Sequence, residues 1–186
     1  MNQESGVAGR GVYASIALAA FFAVGWAQWA ASGLTGVASI TTRVISVVLG
    51  TILVVWAVRQ GRRASPTSRS FFTSRPYRVV VVVEAVLLVA GGAVLGALGL
   101  TSFMAVWVAF VVGIHFIAFG HFFERSFFWV GGAILAASAV GLLVGLAGLG
   151  AGAVVAGTGL IAAVVLFIAA SRRPLQQLFT KAAKPS

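Results

Sequence analysis

Cysteine and aspartate are both absent from this chain. Without cysteine there is no disulfide, no thiolate nucleophile and no sulfur-ligated metal or iron–sulfur centre. Without aspartate there is no Ser-His-Asp triad, and no arrangement of the remaining residues points to a hydrolase, so no enzyme is expected. Carboxylates are scarce as a class: three glutamates stand against thirteen Lys and Arg, which leaves a net charge of +10. The only histidines are His115 and His121, both in one apolar stretch. Haem held by two histidines on facing helices of one protomer is therefore excluded. A zinc site from His115, His121 and Glu124 lacks facing geometry, because positions six apart on a helix are offset by about 120°. No cofactor and no metal is expected.

Charge as a whole is also in short supply. Charged residues make up 9% of the chain, where soluble domains carry about 25%. What fills their place is apolar: 60% of residues are hydrophobic and the mean hydropathy is +1.06. A membrane-crossing helix needs about 20 mostly apolar residues, and six such stretches run over 11–31, 37–58, 79–98, 102–123, 127–147 and 151–170. They are apolar on every side, unlike the alternating segments of about ten residues that build a barrel. The first is longer than the 7–15 residue apolar core of a signal peptide and is expected to be retained. The sequence thus predicts an all-α membrane protein, a single domain over 1–186, with six transmembrane helices arranged as three helical hairpins.

The basic residues orient those helices. Arg10 precedes the first stretch; Arg59, Arg62, Arg63, Arg69, Arg75 and Arg78 lie in the 59–78 connection; Arg125 lies between the fourth and fifth; Arg172, Arg173, Lys181 and Lys184 fall in the 171–186 tail. The other three connections carry no charge, so both termini are expected to be cytoplasmic, with twelve of the thirteen basic residues on that side. The six arginines of the 59–78 loop are read as lipid-headgroup binding, each contributing about 1 kcal/mol beside an anionic leaflet. Nucleic acid is not an expected partner, because the basic loop contains no recognition motif.

Three uncharged turns punctuate the chain: Gly33-Leu34-Thr35-Gly36, Gly99-Leu100-Thr101-Ser102 and Gly148-Leu149-Gly150-Ala151. Their recurrence fits either a triplicated helix pair or convergence on one kind of turn. Small-xxx-small spacing at Gly92 and Gly96, and at Ala137, Gly141 and Gly145, predicts close helix packing. The same small-residue faces would serve a homo-oligomer.

Chemistry is expected where ionisable groups lie within the apolar stretches, since a charge at the bilayer centre costs about 2.5–3.5 kcal/mol on insertion scales. Arg43 lies near the outer end of the second stretch, with Gln28, Trp26 and Trp29 at similar depth, and is read as a structural anchor. Glu84 and His115 stand 15 residues before Gly99 and 15 after Leu100. An antiparallel hairpin therefore sets them at one depth, about 8–12 Å from the cytoplasmic end. If they meet, a neutral acid beside a neutral imidazole and a carboxylate beside an imidazolium have the same net charge, which is what a proton relay requires. An interhelical hydrogen bond worth about 1 kcal/mol requires the same two residues. His121, Glu124 and Arg125 are predicted to share one side at the cytoplasmic end of the fourth helix, as an interfacial cluster or a cytoplasmic access point for protons.

Around His115, Val112-Gly113-Ile114-His115-Phe116, followed by Phe119, Phe122 and the run Phe127-Phe128-Trp129-Val130-Gly131-Gly132-Ala133, resembles small uncharacterised bacterial multi-span membrane proteins that carry a Gly-Ile/Leu-His-Phe motif. The three-hairpin layout also looks like that of the HdeD-type acid-resistance membrane proteins. These resemblances imply a bacterial cytoplasmic membrane protein with His115 as its motif residue, and no defined reaction. Two readings stand at this point: a proton-linked small-solute transporter or channel using Glu84 and His115, and a non-catalytic accessory or membrane-stress protein whose polar residues are structural.

Overall fold

The computed structural model describes residues 10–64 and 74–182. Six helices account for nearly all of them: α1 (Arg10–Ser32), α2 (Gly36–Arg63), α3 (Arg75–Ala97), α4 (Met104–Phe122), α5 (Ser126–Leu146) and α6 (Ala151–Ala182). A 3₁₀ turn, Thr101–Phe103, leads into α4. The described residues contain no strand. All six helices are long and apolar enough to cross a membrane, so the protein is all-α with the make-up of a multi-pass membrane protein.

The helices overrun the apolar stretches at the arginine-rich ends. α2 continues through Arg59, Arg62 and Arg63, and α3 begins at Arg75, so both ends of the 59–78 connection are helical. Arginine and glutamine are good helix formers, and basic side chains in a last turn complement the negative end of the helix dipole. The Ser74 hydroxyl accepts a hydrogen bond from the Tyr77 backbone N–H and Pro76 occupies the first turn, which together start α3 early. α6 likewise runs through Arg172, Arg173 and Pro174 to Ala182, so the expected tail is mostly helix. Arg69 and Lys184 lie outside the described residues.

Two of the three uncharged turns share one stereochemistry. Gly99 and Gly148 adopt φ of 70° and 72°. After them, Leu100 N–H bonds to Leu95 C=O at 2.8 Å and Leu149 N–H to Val144 C=O at 3.3 Å. Both are Schellman closures, which call for glycine and then an apolar residue. The Gly33 turn differs, because there the positive φ falls on Gly36. The Gly-Leu likeness of the other two is thus what the turn itself demands.

Packing is densest where small residues meet. α1 packs along both α2 and α6, α4 along α5, and α5 along α6. Ala20, Ala23, Ala27, Ala30 and Ala31 of α1 are buried, as are Ala162, Ala163, Leu166 and Ala170 of α6. A Cβ on Gly33 would strike the backbone of Gly152, and one on Gly159 would lie 2.9 Å from the Ala30 methyl. The Ala137, Gly141 and Gly145 stripe of α5 is also used internally: Gly141 faces Thr158 of α6 and Val106 of α4. The Ser138 hydroxyl beside it donates to Val106 C=O at 2.9 Å.

α3 is different. It packs along α4 alone and buries no residue fully. Gly96 has open space around it, and Gly92 meets only Met104. Together the outer faces of α2 and α3 present Val44, Val48, Ile52, Val82, Val86 and Val89, all exposed. In a bilayer such faces meet lipid chains rather than water.

Candidate functional site

The seam between α3 and α4 is made by a few specific contacts. Tyr77, Glu84 and Gly91 recur every seven residues and so lie on one face of α3. Opposite Gly91 stands the indole of Trp107, in space that a Cβ would occupy. The Trp107 Nε1–H donates to Leu87 C=O at 3.1 Å. Two turns along, Glu84 Oε2 lies 2.9 Å from His115 Nδ1. Tyr77 closes the seam, stacked on Phe119 with centroids 5.5 Å apart and planes 20° from parallel.

The structure therefore brings Glu84 and His115 together. Their side chains are 19% and 10% exposed respectively, so the contact is largely withdrawn from the surface. Its length is that of a hydrogen bond, yet buried Nδ1 has no aligned partner. At 2.9 Å the two groups are in direct contact whatever the direction of the ring N–H. α3 begins at Arg75, nine residues before Glu84, which is about 13 Å of helix.

A ring cluster walls the pair. The His115 ring lies edge-on to Phe119 at 4.0 Å and to Phe116 at 5.5 Å. Phe127 of α5 stacks on Phe116 at 5.9 Å and meets Phe119 at the same separation. Beside these rings is a cavity of about 340 Å³ that both Glu84 and His115 line. Its opposite wall is α1, through Ser15, Leu18, Phe22 and Trp26. α1 and α3 do not pack along each other, and the cavity fills the gap between them.

The other predicted residues lie elsewhere. Arg43 Nη1 donates to the Gln28 side-chain oxygen at 3.3 Å, and the Gln28 amide donates to Ser46 Oγ at 2.9 Å and to Arg43 C=O at 3.2 Å. This clasp joins α1 to α2, while Trp26 and Trp29 stack on one another at 5.5 Å. The expected grouping of His121, Glu124 and Arg125 on one helical side does not occur. α4 ends at Phe122, since Phe123 turns to φ −128° and ψ −66°, and this puts Glu124 and Arg125 in the turn to α5. No ion pair joins the three among the described residues, and none of them lines the cavity. Arg59, Arg62, Arg63, Arg75 and Arg78 are exposed at the α2 and α3 ends. Arg172, one of the basic residues that orient the helices, also lies 4.2 Å above the Trp129 ring. No three metal-ligating side chains come together among the described residues.

Tyr77, Phe116, Phe119, Phe127 and the α1 wall were missed as site residues. The seven-residue repeat of Tyr77, Glu84 and Gly91 was the available signal, because it sets all three on the face that meets α4. Nothing comparable in the sequence announces that α1 stands across the gap. No family model matches the chain, and neither does any curated protein or solved structure.

Proposed function

We propose that this chain is a proton-linked carrier or channel for a small solute, in which Glu84 and His115 exchange the proton. The observation that carries this reading is their 2.9 Å contact on the wall of a cavity in the apolar part of the bundle. Shifting a proton between the two leaves their summed charge unchanged, so the step avoids the cost of isolating a charge among apolar residues. Intramembrane ionisable residues are functional by default, and these two have both a partner and a cavity. The protein needs no enzymatic chemistry and no cofactor for this role.

The setting we assign is a bacterial cytoplasmic membrane, in keeping with the motif around His115. The helices run as three hairpins with both termini and the α2–α3 connection inside, since the basic residues collect there. The arginines at the ends of α2 and α3 face anionic headgroups. Single cysteines at Thr35, Thr101 and Ala151 should label from outside intact cells, and one at Glu124 should not; the reverse pattern inverts the assignment.

The functional test uses purified protein in vesicles that enclose a pH-sensitive dye. A panel of small solutes is added, and proton movement is followed in wild type and in Glu84→Gln, which keeps the volume but cannot exchange a proton. Solute-triggered proton flux that disappears in Glu84→Gln supports the carrier. Flux that is equal in both removes Glu84 from the mechanism. If no solute moves protons and the variant only melts earlier in detergent, the pair merely holds α3 to α4 and the accessory role stands.

A further inference from the structure

We infer that the cavity between α1 and α3 takes a lipophilic organic cation, entering from the bilayer and displacing one proton from the Glu84–His115 pair. The inference rests on the proton-linked reading above and names its solute class.

Charge complementarity comes first. Among the described residues Glu84 is the only acidic one on the cavity wall, and no Lys or Arg lines it. His115 is the one basic group facing Glu84 from α4; α1 lines the cavity with Ser15 and apolar side chains, and Tyr77 is the other titratable group that α3 adds to the wall. The rest of the wall is π-faces and aliphatic groups. Phe22, Trp26, Tyr77, Phe116, Phe119 and Phe127 all border it. A carboxylate among aromatic faces attracts a cation through both its charge and the ring quadrupoles. An organic anion gains neither, and must give up its own hydration to enter.

The charge count then fixes the exchange. With one proton shared between Glu84 and His115, the pair sums to zero charge. A monocation that enters makes the site +1 unless that proton leaves to water, whereupon a carboxylate, a neutral imidazole and the cation again sum to zero. In an apolar setting the neutral state is strongly preferred. One proton therefore departs for each monocation bound, and rebinding of a proton ejects the cation.

The route follows from the helix arrangement. Because α1 and α3 do not pack along each other, their gap leads sideways. At its border Leu18 and Phe22 are 42% and 53% exposed, a surface that an amphiphile dissolved in the bilayer would meet before water does. At about 340 Å³ the cavity lies at the lower end of small-ligand sites, which span roughly 300–1,000 Å³.

The test compares benzyltrimethylammonium with neopentylbenzene, which has the same shape with carbon in place of the charged nitrogen, and with benzenesulfonate. Binding to wild-type protein in nanodiscs is measured by calorimetry in buffers of different ionisation enthalpy, which yields the protons released. The expected result is binding of the ammonium at least roughly tenfold tighter than its neutral isostere, with about one proton released, and no sulfonate binding. Glu84→Gln should abolish the release, Glu84→Asp should restore it, and Phe116→Leu should weaken the ammonium by a few fold to roughly tenfold. Equal binding of ammonium and isostere, or ammonium binding without proton release, overturns the inference using wild type alone. The two levels separate cleanly: ammonium binding with proton release but no flux in vesicles keeps this inference and removes the carrier, whereas Glu84-dependent flux of another solute with no ammonium binding keeps the carrier and removes this inference.

Discussion

α1 and α3 face each other across the same cavity, and they are fastened to the bundle in different ways. α1 is held by a long stripe of alanines and by backbone running against backbone at Gly33 and Gly152. α3 buries nothing fully and is held to α4 by a stacked ring, a polar pair and an indole seated on Gly91. In a bilayer the hydrophobic effect does not drive helices together, so close packing and interhelical hydrogen bonds must do so. The first helix uses mainly packing and the third mainly directed contacts. A contact that depends on one proton can change its strength when the proton moves, and a dry alanine seam cannot. On the proposed role, α1 and α6 form the fixed part of the protein and α3 the adjustable part.

Substitutions can break this comparison, and the largest effect belongs to the alanine seam. Gly33→Ala puts a methyl group into the backbone of Gly152 and Ala156, which cannot move aside without shifting a helix. Its expected cost is about 3 kcal/mol, read as a lowered thermal midpoint in detergent. Gly91→Ala meets only the Trp107 side chain, which can swing away and give up its hydrogen bond to Leu87. We expect about 1–2 kcal/mol there. If Gly91→Ala proves more damaging than Gly33→Ala, the contrast between the two helices is wrong.

Smaller changes sharpen the picture. Trp107→Phe keeps most of the ring but removes the donor to Leu87 C=O, and should cost about 1 kcal/mol. Ser138→Ala removes the buried α5–α4 hydrogen bond to Val106 and should cost about 0.6 kcal/mol, the average for such bonds within membranes. The Ser138 variant should leave α3 as firmly attached as in wild type, measured by protease sensitivity at the α2–α3 connection. The Trp107 variant should loosen it.

Much of the architecture was legible because membrane helices announce themselves by length and hydropathy. The sequence misplaced helix ends where arginines follow an apolar run, since helix propensity continues after hydropathy stops, as at Arg59 to Arg63. It misplaced Glu124 because helical spacing was carried past Phe123, where the helix ends without a glycine or proline to mark it. The meeting of Glu84 and His115 was accessible through the Gly99 turn, which is a short-range geometric constraint. The α1–α6 seam was not, because helices far apart in the chain carry no mark of their pairing beyond small residues that every helix here possesses. The cavity depends on that seam, since α6 fixes where α1 stands relative to α3.

The most direct test of a shared proton exploits the scarcity of carboxylates. With no aspartate and only Glu4, Glu84 and Glu124 present, Glu84 is the sole side-chain carboxyl within the apolar stretches. Infrared difference spectra of the protein in lipid, recorded at one pH on exchange of H2O for D2O, should therefore isolate its proton. We expect a carboxyl band that shifts on deuteration, vanishes in Glu84→Gln and moves in His115→Gln. A spectrum that is the same in wild type and Glu84→Gln would contradict the central claim that this pair holds an exchangeable proton.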